Sequence, residues 1–191
     1  FHKLAVDNLQ MFKKYGVTRI LTHCPHCYTT LKNDYAQFGA DYEVIHHTEF
    51  LDQLVREGKI TLQKRVNGRT VVHDSCYLGR YNGIYEAPRN LIRAASEGVP
   101  PLEMPRNEAK SFCCGAGGGR MWLEENAGKR IYLERTEEAL ATQPSTIAVA
   151  CPYCMTMIED GVKEVQAQDK VQVRDVAEII AEAMETEKTE G

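Results

Sequence analysis

ILTHCPHCYTTL, residues 20–31, and IAVACPYCMTMI, residues 147–158, align without a gap. Each reads as an apolar strand that runs into Cys-Pro-X-Cys and then into a helix carrying Thr29 or Thr156. A second strand and helix follow both copies, in EVIHHTEFLDQL (residues 43–54) and VQVRDVAEIIAE (residues 171–182). A strand–turn–helix unit repeated within one chain indicates a duplicated module. The expected division is the C-terminal part of a first unit over residues 1–60 and a complete second unit over residues 61–191.

The same alternation runs through the rest of the chain. Ala5, Leu9 and Phe12 fall on one helical face, TRILT (18–22) reads as a buried strand, and 29–37 reads as a helix. TVVH and STIAVA read as further strands, with helices expected over 48–57, 85–96, 122–142, 155–166 and 176–184. GVPPLEMPRNEAK, with three prolines, reads as a loop holding one short strand. Strands alternating with helices predict an α/β fold whose parallel sheets are flanked by helices.

The composition narrows the function. Across 191 residues there are 23 Lys and Arg against 27 Asp and Glu, a net charge of -4. That balance does not suit a protein that must neutralise nucleic-acid phosphates and favours a basic partner surface. No apolar stretch approaches the roughly 20 residues that span a bilayer, so a cytoplasmic location is expected, with any membrane attachment through another segment or subunit. The chain opens on Phe1 inside a helical pattern, which suggests a piece of a longer polypeptide.

Seven cysteines, two CxxC pairs and one adjacent pair, do not read as a disulfide scaffold, since neighbouring cysteines strain to bridge each other. In a reducing compartment they read as metal ligands. In the second unit 36 residues separate Cys76 from Cys113, and 36 separate Cys114 from Cys151, giving C-x36-CC-x36-CPYC. Each cysteine group follows what reads as a strand end, and loops at the carboxyl ends of parallel strands converge on one crevice. Five thiolates drawn together repel unless cations compensate them, which suits a soft multinuclear iron-sulfur group. Gly115, Gly117, Gly118 and Gly119 would bring backbone N–H groups to such an anion, and a helix starting at Trp122 would aim its positive end the same way.

Simpler readings exist for each motif. A zinc knuckle from Cys24, Cys27, Cys151 and Cys154 must close over 123 residues and leaves Cys76, Cys113 and Cys114 unexplained. GAGGG departs from a phosphate loop because Arg120 stands where the last glycine is needed. His23, His26, His46 and His47 read as hydrogen-bond donors to ligands or as surface residues. His73 and Asp74 are the candidates for tuning a metal group from behind its ligands. Arg80 and Arg120 would compensate charge there or be solvated, and Met121 and Trp122 read as core.

The C-x36-CCG-x36-CPxC spacing, with HDSCYLGR around the first cysteine and FCCGAGGGRMW around the pair, resembles the CCG (cysteine-rich) domain of heterodisulfide reductases, glycolate and lactate oxidation iron-sulfur subunits and electron-transfer-flavoprotein:menaquinone oxidoreductases. The resemblance implies two repeated CCG units, the first incomplete here. It assigns Cys76, Cys113, Cys114, Cys151 and Cys154 to one noncubane 4Fe-4S cluster. Ser75 departs from the proline of many members and should alter the turn. Cys24 and Cys27 match the family's CxxC with partners lying upstream, which leaves open a second cluster, zinc or nothing at that pair.

The implied function is that of an iron-sulfur oxidoreductase domain in a larger complex, relaying electrons from a flavoprotein or dehydrogenase toward a quinone. Further iron-sulfur domains and a membrane-anchored partner or segment would accompany it. Two rivals stand beside that reading: a heterodisulfide or thiol reductase with substrate chemistry at the cluster, and a redox-inactive structural module. Close packing of the glycine run around the cluster is expected to leave little room for a bulky disulfide.

Overall fold

β-branched runs and amphipathic segments alternate as expected. The computed structural model describes residues 1–63, 65–123 and 128–184. In the second half, β3 (Thr70–Val72), β4 (Thr146–Val149) and β5 (Gln172–Asp175) form a parallel sheet in that order, with Val71 beside Ile147 and Ile147 beside Val173. Successive side chains of a strand point to opposite faces. Val71, Ile147 and Val149 therefore pack with Ala139 of α6 (Ile131–Ala141) and Ile158 and Val162 of α7 (Pro152–Glu164). Val72 and Ala148 pack on the other side, with Leu91 and Ile92 of α5 (Glu86–Ala95) and Ile179 and Ile180 of α8 (Val176–Met184). Covered on both faces, the central β4 is buried along its whole length, which is why its sequence shows no polar alternation.

The first half repeats this plan: α1 (His2–Lys14), β1 (Arg19–Thr22), α2 (Pro25–Thr29), β2 (Glu43–His46) and α3 (His47–Arg56) follow the order of α6, β4, α7, β5 and α8. β1 and β2 are parallel, with Ile20 beside Val44. Among the described residues no third strand takes the place beside β1 that β3 takes beside β4. β1 is accordingly not the buried strand expected: Arg19 is exposed and Leu21 is 53% exposed, while Ile20 and Thr22, on the opposite face, are half-buried. The halves meet where α3 packs on α5 and α8, where His47 Nε2 lies 3.0 Å from Asp175 Oδ1, and where Asn82 donates to Thr29 Oγ1 at 2.8 Å from the short α4 (Gly79–Asn82).

Several boundaries differ from expectation for local reasons. α7 starts at Pro152 rather than at residue 155, since proline at the first helical position loses no helix hydrogen bond and carries a preset φ. α2 likewise starts at Pro25, and the helix expected over 29–37 becomes a widened π turn (Thr30–Asp34) and a 3-10 turn (Tyr35–Phe38) closed by Gly39. The helix expected over 122–142 begins only at Ile131, after two 3-10 turns over Gly117–Trp122 that break at Gly118 and Gly119, both at positive φ; residues 124–127 lie outside the described ones. No helix therefore starts at Trp122, which is 79% exposed rather than core, while Met121 packs partly against the core as expected. The short strand in the proline-rich loop is a single bridge, Leu102 with Val71. Among the described residues no helix is long and apolar enough to cross a membrane.

Candidate metal centre

The carboxyl ends of β1, β3 and β4 lead directly into cysteines. Cys24 and Cys151 are the residues just before α2 and α7, so each CPxC places one cysteine at the helix entrance and the other in its first turn. After β3, His73 N–H donates to Ala148 O (2.9 Å), and the Ser75 carbonyl accepts the N–H groups of Leu78 (3.2 Å) and Gly79 (2.9 Å) in the turn that presents Cys76. That turn forms without the proline the resemblance implied, and leaves Ser75 Oγ buried without a partner. Cys113 and Cys114 depart from expectation: they follow an irregular segment after the 3-10 turn Glu108–Lys110, not a strand.

Asp74 fixes that segment. Its carboxylate takes Arg89 Nη1 at 2.7 Å, Arg89 Nη2 at 2.9 Å and the N–H of Glu108 at 2.7 Å, while its carbonyl accepts Ser111 Oγ at 3.1 Å. Burial works against the Arg89 charge, but Asp74 and Glu103 outweigh it and hold the proton more firmly than usual. Asp74 is thus a clamp between β3, α5 and the cysteine-pair segment, turned toward these partners.

All seven cysteines are free. Five form an unbroken run of side-chain contacts, Cys76 to Cys113, Cys113 to Cys114, Cys114 to Cys154 and Cys154 to Cys151. Their protons are shared unequally. Hydrogen bonds from Cys114 and Cys76 hold Cys113 far below a free thiol, and a bond from Cys154 holds Cys151 at about 5. Conversely, the bond to Cys113 and burial push Cys76 up, the bond to Cys113 pushes Cys114 up to about 12, and contact with Cys114 and Cys151 raises Cys154. Cys113 and Cys151 are thus the acidic members of the run, and Cys76, Cys114 and Cys154 are the ones that hold their protons. A thiophilic metal group would replace the shared protons and let every sulfur ionise, so the donor set fits an iron-sulfur cluster chemically.

The surroundings add fixed dipoles. Gly115, at φ +94, donates its N–H to Cys113 Sγ at 3.3 Å, and a Cβ there would come within 3.2 Å of the Tyr132 backbone nitrogen, so only glycine fits. The Ala116 amide bonds Cys114. Gly117, Gly118 and Gly119 do not close over the sulfurs as expected; an added Cβ at each meets nothing within 4 Å. They line an open cleft of about 230 Å³ with His26, Tyr77, Met121, Trp122 and Tyr153. Arg120 is exposed beside it, and Arg80 lies close enough to Cys76 to favour its thiolate.

His73 is 2% exposed; burial and the neighbouring Arg135 push its ring down to about 3, so it is neutral. One of its ring nitrogens lies within 4.8 Å of the Cys114 and Cys154 sulfurs. His26 links the two repeats. Bonds to Cys151 and then Cys24 (Nδ1 to Sγ 3.9 Å) raise it to about 9, a cation between two sulfurs, and its ring stacks on Tyr77 at 4.2 Å between centroids. Cys24 and Cys27 touch each other and sense Cys151, but stand outside the run of five. Burial opposes ionisation of Cys24, yet His26 and backbone donors bring it below a free thiol. His46 and His47 are not surface residues but buried at the β2–α3 junction. Sequence reasoning missed Arg89 and Arg135, both buried; Arg135 lies one turn before Ala139 on the inward stripe of α6, the pattern of a charge that must find a partner inside.

The profile of the cysteine-rich domain family, CCG, matches residues 1–32 and 70–159. The chain is 47% identical over 192 residues to the EtfAB:quinone oxidoreductase of Syntrophomonas wolfei, over 97% of this chain and 27% of that protein. It is 47% identical to the probable iron-sulfur-binding oxidoreductase FadF of Bacillus subtilis (96% of this chain, 26% of that protein). It is also 34% identical to one of the subunits of the dihydromethanophenazine:CoB--CoM heterodisulfide reductase of Methanosarcina mazei (95% and 44%). The chain thus spans between 26% and 44% of the length of these relatives.

Proposed function

The chain belongs to the cysteine-rich CCG-domain family, and from that premise we propose that it is the electron-transferring iron-sulfur part of a respiratory oxidoreductase. Cys76, Cys113, Cys114, Cys151 and Cys154 would hold one 4Fe-4S cluster of the noncubane type. The observation that carries the reading is the unbroken contact of these five sulfurs, drawn from three loops. Residues 1–60 are read as the end of a first unit and 61–191 as a complete second one, in line with the repeated strand order. A cluster bound there supplies one-electron storage. The chain's own groups do the rest: Gly115 and Ala116 donate N–H to sulfur, Asp74 and Arg89 keep the cysteine pair on β3, and His26 sets a positive charge between Cys24 and Cys151. Cys24 and Cys27 would join a second metal site only with ligands from other residues.

Electrons would enter from a flavoprotein or dehydrogenase and leave toward a quinone, alongside further iron-sulfur domains and a membrane-anchored segment or subunit. The name of the EtfAB:quinone oxidoreductase relative supports this order, and that of the FadF relative supports an iron-sulfur-binding oxidoreductase. A second reading, a heterodisulfide or thiol reductase, is favoured by one feature, the open cleft lined by Tyr77, Ala116 and the glycine run where close packing was expected. The deciding experiment reduces the complete protein with its flavoprotein donor and offers a menaquinone analogue or a disulfide separately. Reoxidation by the quinone analogue at catalytic rate supports the first reading. Reoxidation by the disulfide, with a new paramagnetic signal when free thiol meets the oxidised protein, replaces it with the second.

A further inference from the structure

The neutral imidazole of His73 has one hydrogen and two nitrogens. Arg135 Nε donates to Nδ1 at 3.0 Å, and because a guanidinium can only donate, Nδ1 must be the acceptor and the hydrogen resides on Nε2. Nε2 is buried with no hydrogen-bond partner. One nitrogen of the ring lies within 4.8 Å of the Cys114 and Cys154 sulfurs, and the His73 N–H bond to Ala148 O ties its backbone to β4. With Nδ1 taken, Nε2 is the nitrogen left to address them.

Arg135 has little freedom to give up that task. Its side chain is 0% exposed, Nη1 donates to Arg106 O (2.8 Å) and Glu138 Oε2 (3.0 Å), and Nη2 donates to Ser111 Oγ (3.3 Å). Four acceptors, on Glu138 of α6, His73 just after β3, Arg106 of the proline-rich loop and Ser111 of the cysteine-pair segment, hold one planar fork, so the orientation of the His73 ring is set from α6.

We propose that Arg135 is a positioning residue that fixes the His73 tautomer so that Nε2–H donates to the sulfur of the metal centre held by Cys114 and Cys154, raising its reduction potential. The inference rests on the cluster reading of the five cysteines. Hydrogen bonds to cluster sulfur stabilise the reduced, more negative state, so losing one moves the potential to more negative values.

The test uses the complete cluster-loaded protein with 15N-labelled histidine. Expected are a 15N resonance of protonated Nε2 and bare Nδ1 for His73, and an exchangeable proton coupled to the reduced centre in pulsed paramagnetic spectra. His73→Phe should keep its iron, lose that proton coupling and titrate at a more negative potential; His73→Gln, which retains an N–H, should recover part of the shift. Arg135→Met should mix the two tautomers and move the potential in the same direction. An unchanged potential in His73→Phe, or loss of its iron with the fold intact, overturns the proposal. So does an Arg135→Met protein that loses stability while tautomer and potential stay as they were. Should that variant not fold, the wild-type nitrogen spectrum decides, since a proton on Nδ1 refutes the assignment. A wild type without iron and sulfide would instead refute the cluster reading, and leaves the tautomer itself measurable by the same spectrum.

Discussion

Asp74 offers the sharpest test of how the site is held. Its carboxylate is 4% exposed and receives two N–H groups of Arg89 and the amide of Glu108, while Arg89 is 5% exposed and keeps a second partner, Glu103 at 2.8 Å, which is 39% exposed. Removing one member of a buried pair generally costs about 3–5 kcal/mol because the other charge remains in a poorly solvated place. Glu103 still neutralises Arg89, so Asp74→Ala is placed at the lower end, about 3 kcal/mol. With a urea dependence of about 2 kcal/mol per molar, the midpoint should fall by about 1.5 M. Arg89→Met should cost at least as much, since it strands Asp74 with one amide donor. The double variant should cost about 2 kcal/mol less than the sum of the singles, because neither charge is then left alone. Anaerobic urea unfolding followed through the visible absorption of bound iron measures all four proteins. Additivity within about 0.5 kcal/mol would refute the claim that Asp74 and Arg89 act as one buried unit.

Three further outcomes are expected. Cys113→Ser or Cys114→Ser should lower iron by about four per chain and loosen the second unit, since metal binding energy is folding energy, whereas Cys24→Ser should leave that iron in place; equal losses would put Cys24 in the same site. In Gly161→Ala the new Cβ would collide with Thr136 Oγ1, so α6 must move off α7; overpacking of about 1–3 kcal/mol exceeds the roughly 1 kcal/mol gained in helix propensity, and a lower unfolding temperature that Thr136→Ala partly restores is expected. Burial, then His47, holds His46 at about 3 against an ordinary 6.5, so the folded chain refuses a proton that the unfolded chain takes. Stability from this group is full above about pH 6.5 and is lost as pH falls toward 3, with about 2 kcal/mol gone by pH 5. Hydrogen-exchange protection of the β2 amides at pH 7 and pH 5 reads this directly, and His46→Asn should flatten the difference.

The repeat and the cysteine spacing already contained the fold class and singled out the five cysteines that the fold draws into one run, because strand runs of Val and Ile and helix stripes are local patterns that burial on both sheet faces imposes on sequence. The β2, β4 and α8 segments fall within a residue of their expected places for that reason. Where sequence reasoning failed, a local pattern had two physical outcomes. TRILT reads like a buried strand, yet among the described residues β1 pairs on one edge only and Leu21 meets solvent. The glycine run permits either a tight wrap around sulfur or an open wall, and positive φ at Gly118 and Gly119 turns it into the wall of a cleft.

What the sequence alone determined is which atoms could bind metal: five cysteines at fixed spacing, with strand ends to converge them. What only the tertiary structure decided is which polar groups stand behind those atoms. Arg135 is 24 residues from Ser111 and 62 from His73, His26 reaches Cys151 across the repeat, and Asp74 meets Arg89 from another element. A buried charge or imidazole must find its partner wherever the packed chain brings one, and that choice is made by three-dimensional proximity, which leaves no periodic trace along the sequence.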